Sequence, residues 1–278
     1  MLELPSLKET VEKYELLAKK SLGQNFLLDM NITGKIIRSS LAAQGKESFA
    51  GEQVYEVGPG PGGLTRAILQ AEPDCLTVIE MDTRCIQIMR DIEAVVGKQL
   101  EIVEGDALKY DFLQTADKPK NIISNLPYNI SVPLLIGWLK NMAHFNSLTL
   151  MFQKEVADRI MAPVGSKSYG RISVLAQLVC KIKLLLNLNP NCFVPAPKIW
   201  SSVLLFVPQK SVMAPEVLQR VEKITEAAFG QRRKMIRQSL KSLPNLADLC
   251  EKAGIELTAR AEDITPEQYL RLAELILR

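Results

Sequence analysis

The 278-residue sequence has little histidine and no cysteine arrangement typical of a metal site or a disulfide framework. A single histidine, His144, excludes a His-based catalytic triad and a site with several histidine ligands. The five cysteines are odd in number and include no C-x-x-C pair, which favours reduced, mostly buried thiols. We therefore expect no metal site, and we assign no chemistry to the cysteines.

Long apolar runs are also missing from the sequence. No run approaches the roughly 20 residues that a membrane-spanning helix requires. The first residues, Met1 to Pro5, include an acid and are not followed by a basic and then an apolar segment, so we expect no signal peptide. With 47% hydrophobic and 23% charged residues, the composition is that of a globular protein with a sizeable core. The sequence predicts a cytoplasmic protein without a membrane partner.

The net charge of +3 is small, but the charges are unevenly distributed. Residues 1–150 hold 15 Lys and Arg against 19 Asp and Glu, whereas residues 151–250 hold 15 against 6. A basic later section beside an acidic first half indicates that a polyanion binds on one side. The alternative is a solvated basic surface without a partner.

Apolar strand-like runs alternate with helical patterns from about residue 53 onward. This alternation predicts a doubly wound α/β sheet. Two later runs, Lys181–Leu188 and Ile199–Val207, are predicted to form an antiparallel pair at the sheet edge, which gives seven strands. After a linker at 208–215, every periodic segment is helical. The other predicted strands are Gln53–Val57, Cys75–Glu80, Leu100–Glu104, Asn121–Ser124 and Leu148–Gln153. The predicted helices are 32–41, 63–71, 83–96, 131–142, 216–229, 231–242, 245–253 and 266–277.

A glycine-rich turn follows the first predicted strand, in the segment Val54 to Thr65. Glycine lets the backbone approach a ligand closely, so such a turn is compatible with NAD or with another nucleotide-like cofactor. Two prolines, Pro59 and Pro61, remove amides that would donate to a pyrophosphate. Glu56 would repel a diphosphate. A cationic ligand without phosphates, such as S-adenosylmethionine, therefore fits better than NAD.

Polar residues also follow the neighbouring predicted strands. Glu80 ends the second strand, about 22 residues after Gly58, where a carboxylate takes ribose hydroxyls in nucleotide-binding sheets. Asp106 follows the third strand and can accept from an adenine amino group. Asn125 follows the fourth. A single acid at a strand end is usually a helix N-cap, but agreement over four strands favours a methyl-donor site.

The tetrapeptide Asn125-Leu126-Pro127-Tyr128 follows a buried strand-like run. Proline fixes its own φ and restricts the residue before it, so the carbonyls there point in set directions. Asn125 adds a side-chain acceptor, and Tyr128 adds a face on which a base can stack. The segment therefore predicts a site that holds a flat base by its amino group. The alternative is a proline turn with a tyrosine packed on the core.

Basic residues recur at i, i+4 and i+8 in the predicted helix 231–242, at Arg233, Arg237 and Lys241. Arg232 and Lys234 lie beside this stripe, and few acids offset it. Phosphate contact is therefore predicted, with a solvated helix face as the alternative.

Several motifs together resemble one family, the rRNA adenine N6-dimethyltransferases, and most closely the bacterial KsgA type that acts on small-subunit rRNA. The resemblance spans nearly the whole chain. Its motifs are Gly23-Gln24-Asn25-Phe26-Leu27, Glu56-Val57-Gly58-Pro59-Gly60, Glu80-Met81-Asp82, Gly105-Asp106-Ala107-Leu108, Asn125 to Ser131, Phe193 to Lys198, and Phe229 with Arg232-Arg233-Lys234.

The resemblance implies a Rossmann-like, seven-stranded S-adenosylmethionine-dependent methyltransferase domain over residues 1–208, with an N-terminal arm at 1–30. It implies a small helical domain over 209–278. The implied activity is dimethylation of two adjacent adenosines in the 3′-terminal hairpin loop of small-subunit (16S) rRNA, during small-subunit biogenesis. The implied partner is this rRNA or its assembly intermediate, and the protein is expected to be a monomer.

Site residues follow from the motifs and the resemblance together. The predicted catalytic residues, which would hold the target adenine, are Asn125, Leu126, Pro127, Tyr128 and Phe193. The predicted cofactor-binding residues are Gln24, Asn25, Leu27, Glu56, Gly58, Gly60, Glu80, Met81, Asp106, Ala107 and Asn125. The predicted RNA-binding residues are Lys19, Lys20, Arg232, Arg233, Lys234, Arg237 and Lys241.

Two alternatives for the whole protein stay open at this point. One is a large-subunit adenine methyltransferase of the antibiotic-resistance type, which usually has isoleucine in place of Leu126. The other is a ribosome-assembly or transcription factor that keeps the fold without the activity. Intact Gly58, Glu80, Asp106 and Asn125 argue against this second alternative.

Overall fold

The computed structural model describes residues 4–16, 24–114, 118–209 and 213–276. The chain divides into two compact units. The first unit consists of Met1–Leu134, His144–Lys154 and Lys183–Phe206. The second unit consists of Leu135–Ala143, Glu155–Ile182 and Val207–Arg278. A division into domains at residue 208, which the sequence predicts, stays a prediction.

Nine strands are present in the described part of the chain. They are β1 (Phe26–Leu27), β2 (Gln53–Val57), β3 (Cys75–Glu80), β4 (Leu100–Glu104), β5 (Lys120–Ser124), β6 (Ser147–Gln153), β7 (Cys180–Leu188), β8 (Phe193–Val194) and β9 (Ser201–Pro208). Seven of them form one sheet in the order β4-β3-β2-β5-β6-β9-β7, and β1 pairs with β8 in a separate two-stranded sheet. The predicted seven-stranded sheet is confirmed.

The sheet is parallel from β4 to β6, and β9 runs antiparallel to β6. Every residue of β2 and of β5 is buried, so these central strands are covered on both faces of the sheet. The strand order reverses between β2 and β5, which are neighbours in space but not in sequence. Ligands of open α/β sheets bind at the carboxyl ends of strands beside such a reversal.

Eleven α-helices are present in the described residues. They are α1 (Leu7–Lys13), α2 (Met30–Gln44), α3 (Gly63–Leu69), α4 (Thr83–Val96), α5 (Ser131–Lys140), α6 (Lys154–Ile160), α7 (Arg171–Val179), α8 (Pro215–Gly230), α9 (Ile236–Ser239), α10 (Leu246–Ala253) and α11 (Pro266–Ile276). Helix α2 begins after Asp29, whose side chain accepts from Asn31 N at 2.8 Å, and it ends at Gly45 with φ of 68°. Among the described residues, no helix combines the length and the apolar character needed to cross a membrane.

The predicted helix over 231–242 is wrong. Only Ile236–Ser239 is α-helical there, and Met235 forms a bridge with Arg260. Backbone amides of this segment donate to distant carbonyls, Ile236 N to Ala259 O at 2.8 Å and Arg237 N to Leu257 O at 3.1 Å. Because these bonds replace the helical ones, the spacing of Arg233, Arg237 and Lys241 does not produce a stripe on one helix face.

The second unit has an aromatic core between its helices. Helices α7, α8, α10 and α11 pack together there. The ring of Phe229 lies 6.0 Å from that of Tyr169 and 6.2 Å from that of Tyr269. Both tyrosine hydroxyls are satisfied by backbone carbonyls, Tyr169 by Ile264 O at 3.0 Å and Tyr269 by Ala261 O at 2.9 Å. Phe229, part of the motif that carries the resemblance, is therefore a packing residue.

Candidate active site

A cavity of about 280 Å³ lies in the first unit, at the carboxyl ends of the parallel strands. Every residue predicted to bind the cofactor lies on its wall: Gln24, Asn25, Leu27, Glu56, Gly58, Gly60, Glu80, Met81, Asp106, Ala107 and Asn125. Four of the predicted catalytic residues line it as well: Asn125, Leu126, Pro127 and Tyr128. The two sets therefore share one cavity, although their roles stay predictions.

The polar groups of the cavity follow the spatial order of the strands. Along the edge in the order β4, β3, β2 and β5, the residues at or just after the strand ends are Asp106, Glu80, Gly58 and Asn125, respectively. Glu80 is the last residue of β3, and Asn125 directly follows β5. A ligand lying along this edge would meet a carboxylate at one end and the Asn125 amide at the other.

The glycine-rich turn has the conformation and the space that a closely bound ligand requires. Gly58 and Gly60 have φ of 68° and 56°, in the left-handed region that favours glycine. A Cβ atom at Gly60 would lie 3.0 Å from the ring of Phe26. A side chain at Gly60 would therefore be crowded, and the backbone of the turn forms part of the cavity wall. This turn, with the neighbouring carboxylates, fits a nucleoside-type donor.

Glu80 is held by three backbone amides. Its Oε1 accepts from Met81 N at 2.7 Å and from Asp82 N at 2.9 Å, and its Oε2 accepts from Gly60 N at 3.4 Å. Burial raises the pKa of this carboxyl above its ordinary value, against the effect of these hydrogen bonds. The carboxyl is thus fixed in position, as the recognition of ribose hydroxyls requires.

Glu56 is the most deeply buried acid of the cavity. Burial raises its pKa to about 8, while a hydrogen bond from Thr65 Oγ1 to its Oε2, 2.7 Å long, lowers it and the charge of Glu80 raises it further. A buried carboxyl of this kind gains most from a cationic neighbour. It therefore suits a ligand with a sulfonium or an ammonium group.

The side-chain amide of Asn125 has a defined orientation. Its Nδ2 donates to the backbone carbonyl of Asn25 at 3.0 Å. The side-chain oxygen is thereby the end of the amide that remains as an acceptor at the cavity. Because Asn25 also lines the cavity, this bond joins the N-terminal motif to the motif that follows β5.

Tyr128 is half-buried and anchored at its hydroxyl. The hydroxyl forms a hydrogen bond with Ser201 Oγ at 2.9 Å, and its backbone carbonyl accepts from Ser131 Oγ at 3.0 Å. Burial raises the pKa of the phenol, and the bond with Ser201 lowers it. The ring is therefore fixed at the cavity wall, as a stacking surface requires. Ser201 was not predicted, because its partner lies 73 residues away in sequence.

Phe193 is the one predicted catalytic residue that does not line this cavity. It lies in β8 opposite Leu27 of β1 and is only 2% exposed. Its ring belongs to the apolar core of the first unit. A base could reach that ring only after local repacking, so its role in stacking stays a prediction.

Asp82 supports the cavity without having been predicted. Its Oδ2 accepts from Gln24 Nε2 at 3.2 Å and from Arg84 Nη2 at 2.6 Å. The Arg84 guanidinium holds the pKa of this carboxyl at about 2. Gln24 therefore borders the cavity with its amide bound to Asp82. The motif Glu80-Met81-Asp82 contained the residue, but no sequence signal assigned it this task.

The predicted RNA-binding residues of the second unit differ in their surroundings. Arg232 Nε lies 2.6 Å from Glu262 Oε2, and its Nη2 donates to Ser166 O at 3.2 Å. Four other side chains are exposed: Arg233, Lys234, Arg237 and Lys241. Lys19 and Lys20 lie outside the described residues. Within the described ranges, no group of three or more His, Cys, Asp or Glu side chains is placed to hold a metal ion.

Fold and cavity together define a class of protein, the S-adenosylmethionine-dependent methyltransferases, in which a glycine turn and strand-end acids share one sheet edge. A family model described as "Ribosomal RNA adenine dimethylase" matches residues 15–277. The chain belongs to this family. It is therefore an enzyme, and the predictions of the family, of rRNA adenine methyl transfer and of S-adenosylmethionine as cofactor are confirmed.

Individual relatives agree with this family. The chain is 46% identical over 273 residues to "Ribosomal RNA small subunit methyltransferase A" of Rhodospirillum rubrum, covering 98% of this chain and 93% of that protein. The crystal structure of a dimethyladenosine transferase from Plasmodium falciparum is similar, with a TM-score of 0.74 and 25% identity, over 88% of this chain and 94% of that one. The structure of the 23S rRNA methyltransferase ErmE has a TM-score of 0.66 and 22% identity, and the match covers 91% of this chain and 100% of that one. At this identity it supports the fold alone. The predicted Rossmann-like methyltransferase fold is thus confirmed.

Proposed function

We propose that this chain transfers two methyl groups to the N6 atom of each of two adjacent adenosines in the 3′-terminal hairpin loop of 16S rRNA. The substrate would be this rRNA or a small-subunit assembly intermediate, and the reaction would be a step of small-subunit maturation. We further propose that the protein acts as a monomer in the cytoplasm. Relatives that are 44–48% identical carry the small-subunit name, which supports this choice of target.

The orientation of the Asn125 amide is the observation that carries the proposed chemistry. Its Nδ2 is bound to Asn25 O, so Oδ1 is the end that can accept from a substrate. An exocyclic adenine amine is a poor nucleophile because its lone pair is delocalised into the ring. Asn125 Oδ1 and the Leu126 carbonyl would accept its two N–H groups and favour a pyramidal nitrogen. Catalysis would then consist of positioning and electrostatics, without a covalent enzyme intermediate.

The donor would be held by the residues along the strand edge. Glu80 would take the ribose hydroxyls, Asp106 the adenine amino group, and the turn at Gly58 and Gly60 would contact the ligand through its backbone. Glu56 would face the cationic end. S-adenosylmethionine supplies a methyl group on a positively charged sulfur, which needs no further activation. The protein's task is therefore to align the amine nitrogen and to exclude water around it.

The target base would be flipped out and held at Tyr128, with Phe193 as the proposed second ring. The exposed cations of the second unit would bind the phosphate backbone: Arg233, Lys234, Arg237 and Lys241. Lys19, Lys20 and Arg232 are proposed as further phosphate contacts. Large-subunit enzymes usually have isoleucine at the position of Leu126, so this leucine favours small-subunit rRNA as the substrate.

The test is methyl transfer to ribosomal particles that lack the modification. The protein is incubated with labelled S-adenosylmethionine and with unmethylated small subunits, and the modified positions are mapped as primer-extension stops. Dimethylation blocks base pairing of the adenine, so we expect a strong stop at the first modified adenosine that reverse transcriptase meets in the 3′-terminal hairpin, and a weaker adjacent stop from read-through. Asn141→Ala, at an exposed asparagine of the second unit, serves as the matched control for variants of Asn125.

Parallel incubations separate the competing assignments. Label in large-subunit rRNA and none in the small subunit would overturn the proposed target. Label in neither particle, from a protein that binds the donor, would overturn the proposed substrate altogether. Size-exclusion chromatography with light scattering tests the proposed monomer, which a mass near 62 kDa, twice the chain mass of 31.0 kDa, would contradict.

A further inference from the structure

Arg66 is a buried cation directly behind the glycine-rich turn. It lies in α3, is 6% exposed, and is not among the residues that the motifs singled out. Its Nη1 donates to the carbonyls of Pro61 at 2.8 Å and Gly62 at 3.0 Å. Its Nη2 donates to Pro5 O at 3.3 Å and to Thr10 Oγ1 at 3.1 Å. One guanidinium therefore joins the turn to the segment just before helix α1 and to the middle of that helix.

Among the described residues, no carboxylate forms an ion pair with Arg66. Its Nε has no hydrogen-bond partner within the same described ranges. Burying a charge without a counter-ion costs free energy, and burial lowers the pKa of this guanidinium. The planar fork of arginine nevertheless reaches two separate segments at once, which an apolar side chain or a lysine could not do. The contacts of Arg66 are thus suited to connecting the glycine-rich turn with helix α1 rather than to general packing.

Helix α1 packs on the same part of the turn by other contacts. A Cβ atom at Gly63 would lie 3.3 Å from Leu7 Cδ1 and 2.4 Å from the carbonyl oxygen of Leu27. The far end of α1 is bound to α4, since both Lys13 Nζ and Tyr14 Oη lie 2.5 Å from Asp91 Oδ2. The helix is therefore attached at both ends, and its inner attachment is the Arg66 link.

The link acts on residues that border the donor cavity. Pro61 and Gly63 line the cavity on either side of Gly62, and Gly62 has φ of 83°. A Cβ atom at Gly62 would lie 2.8 Å from Arg66 Nη1, so guanidinium and turn are in close contact. Because Arg66 binds the carbonyls of Pro61 and Gly62, it restricts the backbone path of the turn between two residues that line the cavity.

We propose that Arg66 is a positioning residue that couples the docking of helix α1 to the shape of the glycine-rich turn. Helix α1 and S-adenosylmethionine then bind cooperatively, although α1 itself does not line the cavity. This inference rests on the assignment of the cavity as the donor site. Linkage makes the coupling reciprocal: the donor stabilises the docked helix to the same extent that the helix stabilises the donor complex.

The test uses the full chain without RNA and S-adenosylhomocysteine, the demethylated donor, as the ligand. Ligand affinity is measured by calorimetry, and amide hydrogen exchange of residues 7–13 is followed with and without ligand. In the wild-type protein, the ligand should slow exchange in α1. Arg66→Met should weaken binding about tenfold and abolish this protection. In turnover assays it should raise KM for the donor while kcat at saturation stays within about twofold.

Three further variants make the test decisive. Thr10→Val removes only one acceptor of the link and should weaken ligand binding about threefold even where Arg66→Met fails to fold. The double variant should be no weaker than Arg66→Met alone, because both changes break one link. Arg90→Met, at an exposed arginine of α4, is the matched control and should bind as the wild type does.

The outcomes separate this inference from the donor-site assignment. Wild-type protein that does not bind S-adenosylhomocysteine would overturn the donor site. Wild-type protein that binds it, with unchanged affinity in Arg66→Met and Thr10→Val, would overturn the coupling alone. Equal exchange in α1 with and without ligand would also overturn the coupling.

Discussion

At the scale of single residues, Asn125 presents its two amide ends to different neighbours. Nδ2 binds Asn25 O, and Oδ1 would bind the target amine. We predict that Asn125→Ala lowers kcat by about 100-fold or more, as removal of one positioned polar group does elsewhere. The donor Kd should rise less than about fivefold, since Glu80 and the turn are untouched. Single-turnover transfer to small subunits and calorimetry with the donor measure the two effects.

Equal losses of transfer and of donor affinity would contradict this division of labour. They would mean that Asn125 acts chiefly as a donor ligand, or that its bond to Asn25 shapes the donor site. Asn125→Asp distinguishes these cases, because it keeps a side-chain acceptor and removes the donor to Asn25 O. Asn141→Ala should change neither quantity.

Glu56 makes the stability of the fold depend on pH. Its pKa is about 8 in the folded protein against 4.5 ordinarily, so between these values the folded state holds the extra proton. The free energy of unfolding therefore falls as pH rises through this window, by up to about 1.4 kcal/mol per pH unit from this group. We predict that Glu56→Gln removes this part of the decline. Denaturant unfolding near pH 5 and near pH 7.5, without ligand, measures it.

The control for this prediction is Glu256→Gln, at an exposed glutamate. The free energy of unfolding of this variant should fall between the two pH values by as much as that of the wild type. If the free energy of unfolding of Glu56→Gln fell by as much as that of the wild type, Glu56 would not be the group that carries the proton.

At the scale of elements, the turn between β2 and α3 should respond more strongly to a methyl group than other glycine turns do. Gly60 and Gly45 both have left-handed φ, 56° and 68°, so alanine costs about 1–2 kcal/mol of backbone strain at either. Only at Gly60 would the new Cβ meet a side chain, Phe26 at 3.0 Å. We predict that both variants lose stability, but that only Gly60→Ala loses donor affinity, by about tenfold or more. Thermal unfolding and calorimetry compare them, and equal donor affinities would refute the role of this turn.

Three strands of the sheet were predictable from the sequence to the residue, whereas helices α6 and α7 were not predicted. The bounds predicted for β2, β3 and β4 are those of the structure, because each is a short run rich in β-branched and other apolar residues between turn-forming segments. The segment 231–242 was not predictable, because its backbone bonds go to residues near 260. The two-residue strands β1 and β8 are too short to show any periodicity.

The same limit applies to the site. Its ligand-facing residues stand in short motifs at strand ends, so the sequence identified the wall of the cavity. The groups that hold this wall come from distant positions, such as Ser201 behind Tyr128 and Thr10 behind Arg66. Spacing carries no information about such partners, and only the fold brings them together.

At the scale of the whole molecule, the excess of positive charge over residues 151–250 does not form one helical stripe. Arg232 is bound to Glu262 within the second unit, and its loss should affect that unit's stability first. Arg233 and Arg237 are exposed, with no ion pair to a carboxylate among the described residues. We therefore assign the proposed RNA contact to these two side chains and to their neighbours Lys234 and Lys241.

We predict that the double reversal Arg233→Glu with Arg237→Glu weakens binding to small subunits and makes it less dependent on salt. Each lost phosphate contact should lower the slope of log K against log salt by about one. Co-sedimentation over a salt series measures the slope, and Arg90→Glu with Lys98→Glu, an equal charge change at exposed sites of the first unit, is the control. An equal loss in both double variants would indicate a general effect of net charge. Unchanged binding in the Arg233 and Arg237 variant would identify these side chains as a solvated surface, because a phosphate contact cannot survive reversal of its charge.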